Sequence, residues 1–96
     1  MNTHTALMNS IHALADELPT FGVDHLWLFG SAARGESIIH DIDFLVEFSS
    51  PPTLNRFMNL KFFLEDRLGM PVDLHSRAAC PARFFQRIQP DLLHVA

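Results

Sequence analysis

Apolar residues along this chain change their spacing several times, and each change marks an element. Leu7, Ile11, Leu14 and Leu18 recur every three or four positions. That spacing lines one face of a helix, so a first helix is predicted from about Thr3 to Leu18, ending at Pro19. Phe21-Gly22 is a turn. His25 to Phe29 is too brief and too aromatic for a helix and predicts a short buried strand. Ala32 to Gly35 reads as one helical turn with Ser31 near its N-cap. Residues 36–40 lead into Asp41 to Phe48, where Asp41 and Asp43 fall on one side and Ile42, Phe44, Val46 and Phe48 on the other. That alternation predicts a second strand.

Ser49-Ser50-Pro51-Pro52 breaks the strand, and Thr53 is a suitable N-cap for a helix reaching Leu68. Leu54, Phe57, Lys61, Leu64 and Leu68 form its predicted stripe, with Gly69 as the stop. Pro71 to His75 predicts a third strand in which Val72 and Leu74 alternate with Asp73. Pro81 suits the first turn of a last helix carrying Phe84, Phe85 and Ile88 and ended by Pro90. About ten residues join the first two strands, too few for a parallel crossover, so these are predicted antiparallel. The Thr53–Leu68 helix supplies a right-handed crossover that sets the third strand parallel to the second. The expected fold is α/β (α+β): a small mixed three-stranded sheet with helices packed mainly on the Ile42/Phe44/Val46 face and the carboxylates on the other.

Composition narrows the picture. Ninety-six residues, 48% hydrophobic and 19% charged, make one small domain spanning 1–96 with neither repeat nor linker. A formal charge of −4 argues against a broad nucleic-acid surface, which needs clustered Lys and Arg. Cys80 is the only cysteine, so no intramolecular disulfide forms, and the default for Cys80 is a packed thiol. The N-terminus opens an amphipathic pattern rather than a signal peptide, and no apolar run approaches membrane length. A cytoplasmic protein is expected.

The chemistry concentrates between Leu26 and Phe48. On a strand, Asp41 and Asp43 project to the same side, with Cα atoms roughly 6–7 Å apart. Two carboxylates that close repel, and a cation between them relieves the repulsion. Hard divalent ions with oxygen ligands, Mg²⁺ above all, suit such a pair. Upstream, the backbone N–H groups at Gly30-Ser31 are placed to cradle a phosphate. The bland readings are a polar turn for the aspartates, a simple cap for Ser31, and a solvated surface residue for Arg34. His40 and His75 stand beside aspartates and are candidates for tuning them. None of the six histidines forms a pair with zinc-site spacing.

Gly30-Ser31-Ala32-Ala33-Arg34-Gly35, followed after nine intervening residues from Ser31 by Asp41-Ile42-Asp43, resembles the signature of the nucleotidyltransferase (DNA polymerase β-like) superfamily. The chain is most similar in character to the minimal nucleotidyltransferase (MNT) branch, and Val72-Asp73-Leu74 falls where that family carries a third carboxylate. The spacer from Ser31 to Asp41 is about one residue shorter than the MNT pattern, and His40 stands where a serine is usual. The resemblance implies transfer of NMP, AMP from ATP above all, onto an acceptor. It assigns Asp41, Asp43 and Asp73 to catalysis and to two Mg²⁺ ions. Gly30, Ser31 and Arg34 it assigns to the nucleotide.

MNT proteins occur beside helical HEPN-type toxins, so the resemblance also implies an antitoxin role with that toxin as partner and acceptor. RNA or a small molecule remains an alternative acceptor. A different class also stays open, a non-catalytic antitoxin that neutralises its partner by contact. Phe62 and Phe63 fall off the helix stripe, and Phe84-Phe85 doubles up. These are expected to form an exposed aromatic interface, with a homodimer seam or a broader core as the competing uses.

Overall fold

The computed structural model describes residues 3–96. Helix α1 spans Thr3–Ala13 and passes into a 3₁₀ segment at Ala15–Phe21. The predicted single helix to Leu18 is therefore interrupted. Pro19 lies inside the 3₁₀ segment, and in an α-helix its ring would meet the carbonyl four residues earlier. Ile11, Leu14 and Leu18 nevertheless all reach the core. Gly22, at φ 77°, ends the segment by donating to Pro19 O at 2.9 Å.

Strand β1 (Val23–Phe29) starts two residues earlier than predicted and runs directly into a four-residue helix α2 (Gly30–Ala33). Strand β2 (Ile42–Phe48) is antiparallel to β1, with Leu28 opposite Phe44 and Phe29 opposite Asp43. Helix α3 (Leu54–Leu68) carries the chain to β3 (Val72–Ser76), parallel to β2 with Asp43 beside Asp73. Both predicted strand relations hold. The sheet has four strands rather than three, in the order β3-β2-β1-β4. β4 is only Leu93–His94, antiparallel to β1 at Trp27 and Leu28. Leu26 extends this pairing, donating to Ala96 O at 3.0 Å and accepting from Val95 N–H at 2.9 Å.

The main core fills one face of the sheet. Leu26, Leu28, Ile42, Phe44 and Val46 pack there against Ile11, Leu14 and Leu18 and against Leu60 and Leu64 of α3. Fully burying each large apolar side chain contributes roughly 1.5–3 kcal/mol. The α3 stripe is Phe57-Leu60-Leu64-Leu68, one position round from the expected one, and Leu54 is left 75% exposed. Thr53 caps the helix, its hydroxyl accepting from Arg56 N–H at 3.1 Å. At the other end Glu65 turns back: its Oε2 accepts from the Val72 N–H at 2.9 Å and from Lys61 at 3.3 Å. The bond from Val72, aided by Lys61, holds this carboxyl below its usual range.

The opposite face is not free of helices. Helix α4 (Ala82–Ile88) covers it, closing Ile88 over Phe29 and Leu45 with Phe84, Phe85 and Cys80 around them. Leu45 shares its side of β2 with Asp43, and a large apolar residue there needs cover. Cys80 is half-buried, in keeping with a packed thiol. Of the expected aromatic surface only Phe62 is exposed, at 54%. Phe63 lies against Phe21 at a centroid distance of 4.7 Å, with the Arg67 guanidinium over its ring at 5.0 Å. Phe84 and Phe85 are half-buried on the second core. Among the described residues no helix is long and apolar enough to cross a membrane.

Candidate active site

The aspartates and Gly30 are brought abreast by strand register. Because Phe29 faces Asp43 across the antiparallel pair, the chain leaves β1 beside the Asp43 carboxylate. Gly30 makes that turn at φ 75°, and a Cβ on it would overlap Asp43 Oδ2. A residue with a side chain is thus excluded twice, by backbone conformation and by space. Ser31 lies inside α2 rather than capping it, since the N-cap is Phe29 and has no side-chain bond. First-turn N–H groups of a helix lack intrahelical acceptors, which leaves such groups at Gly30-Ser31 for a ligand.

Asp43 is half-buried at the start of β2, Asp41 is exposed just ahead of it, and Asp73 is exposed on β3 in register with Asp43. Burial pushes the Asp43 carboxyl up, and the negative charges of Asp41 and then Asp73 push it further, against smaller pulls from His75 and Arg34. A carboxyl raised by burial and by two neighbouring negative charges is an environment a divalent cation relieves, and the all-oxygen donor set matches Mg²⁺. The site residues therefore fit the metal expected of them. They do not converge most tightly, however. Among the described residues the donor group gathered within 4.8 Å is Asp24, His25 and Glu47, towards the far end of β1 and β2.

His75 sits two residues beyond Asp73 on the same side of β3, with Nε2 3.2 Å from Asp73 Oδ2. Its ring is lodged between Phe84, at 5.0 Å, and Phe29, at 5.7 Å. His40 is exposed and, among the described residues, makes no hydrogen bond or ion pair. Arg34 is not a free surface residue. Its Nε donates to Glu36 at 2.8 Å and its NH1 to Asp91 at 2.7 Å, and these carboxylates raise its pKa. Asp91 lies 57 residues away in sequence, and no motif pointed to it. A concavity of about 1120 Å³ is lined by none of the three aspartates, though it reaches His75. It is an apolar groove between the starts of α3 and α4, lined in part by Phe48, Phe57, Leu74, Cys80 and Phe84.

A family model described as nucleotidyltransferase domain matches residues 8–93. The chain belongs to this nucleotidyltransferase family. It is similar to the protein adenylyltransferase MntA of Thermococcus cleftensis, 34% identical over 76 residues covering 78% of this chain and 77% of that relative. It is also similar to a solved structure studied as a candidate minimal nucleotidyltransferase. The identity there is 30% and the TM-score 0.82, over 97% of this chain and 95% of that one. The same fold recurs in a complex of a tri-AMPylated Shewanella oneidensis HEPN toxin with an MNT antitoxin. That match has 21% identity and a TM-score of 0.71, over 98% of this chain and 72% of that one. The expected assignment to the minimal nucleotidyltransferases is borne out, and with it an enzyme that takes a nucleoside triphosphate and a divalent metal ion.

Proposed function

We propose that this nucleotidyltransferase moves AMP from ATP onto a hydroxyl of a HEPN-type helical toxin, and thereby serves as its antitoxin in the cytoplasm. The names of the relatives support this reading: one is a protein adenylyltransferase, and a fold neighbour sits with an AMPylated toxin. The observation that carries the residue assignment is the register that sets Phe29, Asp43 and Asp73 abreast on three adjacent strands, with Gly30 turning directly after Phe29. Asp41, Asp43 and Asp73 would hold two Mg²⁺ ions, which when bound neutralise the triphosphate and make the acceptor hydroxyl more acidic.

The backbone N–H groups at Gly30-Ser31 bind the phosphates that leave as pyrophosphate. Arg34, on exchanging a carboxylate partner for phosphate oxygen, clamps the triphosphate bidentately. The acceptor oxygen attacks the α-phosphorus, forming one P–O bond as the bond to the bridging oxygen of pyrophosphate breaks. Asp73 receives the acceptor's proton, and His75 orients that carboxylate through its 3.2 Å contact.

The test is transfer from α-labelled ATP to co-purified partner. Asp41→Asn and Asp43→Asn keep the wild-type circular dichroism but transfer no label. Transfer at the wild-type rate in either variant removes the metal assignment. Silent variants that still neutralise the partner fully would establish neutralisation by contact instead.

A further inference from the structure

We propose that Asp24, His25 and Glu47 form a second metal site, selective for a zinc-class divalent ion and separate from the Mg²⁺ site at the aspartates. The site is made by an irregularity in the β1/β2 ladder. Val23 faces Phe48 and His25 faces Glu47, so Asp24 is an extra residue in β1 with no partner of its own. Strict alternation would send Asp24 and His25 to opposite faces. A β-bulge suspends that alternation, and both side chains turn towards Glu47. Their ligand atoms all lie within 4.8 Å of one another. Among the described residues, neither the Asp24 nor the Glu47 side chain has a hydrogen bond or ion pair, including with His25. Two unpaired carboxylates and an imidazole thus surround a gap wider than a direct ion pair.

The donor chemistry distinguishes the occupant. An imidazole with carboxylates favours Zn²⁺, Ni²⁺, Co²⁺ or Cu²⁺ over Mg²⁺, which prefers oxygen alone. His25 Nδ1 lies 3.0 Å from His94 Nε2 on β4. A hydrogen bond at one ring nitrogen fixes the tautomer and orientation of a metal-binding histidine, and His94 is placed to provide it. Glu47 is four residues beyond Asp43, roughly 13 Å along the strand, so the two sites do not share a ligand. A bound ion would pin β1 to β2 where the bulge weakens their ladder.

The only tryptophan of the chain supplies the assay. The Trp27 ring lies 5.5 Å from that of His25, close enough for bound Ni²⁺ or Co²⁺ to quench its fluorescence. Tag-free protein in excess Mg²⁺ is titrated with Ni²⁺. Quenching should saturate at one equivalent and be reversed by Zn²⁺, which displaces the quencher. His25→Ala and Glu47→Gln should each weaken the effect at least about tenfold, while Asp43→Asn leaves it unchanged. AMP transfer by His25→Ala should remain at the wild-type level. Should His25→Ala fail to fold, Glu47→Gln and Asp24→Asn carry the test, since they remove charge with little change of shape. Absent quenching, or quenching insensitive to Glu47→Gln and Asp24→Asn, overturns the site. So does loss of quenching in Asp43→Asn, which would place the ion at the aspartates.

Discussion

Gly30→Ala tests whether the turn after β1 is built around the Asp43 carboxylate. The added methyl meets two costs. An alanine at φ 75° loses about 1–2 kcal/mol to left-handed backbone strain. Its Cβ also overlaps Asp43 Oδ2, so the aspartate must leave its rotamer, at about 0.5–1.5 kcal/mol. Together these come to about 1.5–3.5 kcal/mol, or a fall in Tm of roughly 6–28 °C for a domain of this size. Gly69→Ala supplies the control, since Gly69 has φ 69° but nothing within 4 Å of its virtual Cβ. It bears the backbone cost alone, so the difference between the variants measures the crowding at Asp43. The assay is urea unfolding of both variants, repeated in an Asp43→Ala background, with AMP transfer measured in parallel. In that background Gly30→Ala should cost no more than Gly69→Ala. Equal destabilisation by the two substitutions in the wild-type background, with transfer intact in Gly30→Ala, would refute the reasoning.

Three further outcomes are expected. The Asp43 carboxyl is raised in the fold, so the folded chain holds its proton more tightly than the unfolded one. The stability this gives is full below the ordinary aspartate pKa of about 3.9 and is lost as pH rises through the raised value. In chelator-treated protein Asp43→Asn should therefore melt above wild type at neutral pH, with the gap closing on acidification; a lower Tm at neutral pH contradicts this. Asp91→Asn frees Arg34 from one of its two partners and should lower the KM for ATP a few-fold with kcat little changed, and an unchanged or higher KM counts against the clamp. Phe62→Asp should weaken partner binding, measured by calorimetry, without lowering Tm. Phe63→Asp should cost roughly 2 kcal/mol, about half the loss from truncating a fully buried phenylalanine, and similar melting of the two variants would refute the distinction.

What could be read from the sequence was whatever depended on local period or on a short connection. Asp41 and Asp43 declared their strand through alternation with Ile42 and Phe44, and the brief link after Phe29 required an antiparallel pair. Thr53 and Gly69 marked both ends of α3 because capping chemistry is local. The remainder depended on tertiary contacts. β4 has two residues, too few to show a period, and exists because β1 offers an edge. Leu45 lies within an apolar run whose second buried face becomes evident only when α4 folds over it. Arg34 and Asp91 meet through the end of the chain, and Asp24 joins His25 and Glu47 through a bulge that alternation alone does not predict.

The bond from the Val72 N–H to Glu65 has a consequence for the register of β3. β3 is an edge strand in parallel pairing, and a slip of one residue would exchange the faces of Val72 and Asp73. Glu65, reaching from the last turn of α3 to the first residue of β3, acts as an index pin for that register. Val72 and Leu74, buried on the core side, set the same register by packing, so the berth of Asp73 beside Asp43 is secured twice, once from the core and once from a helix end.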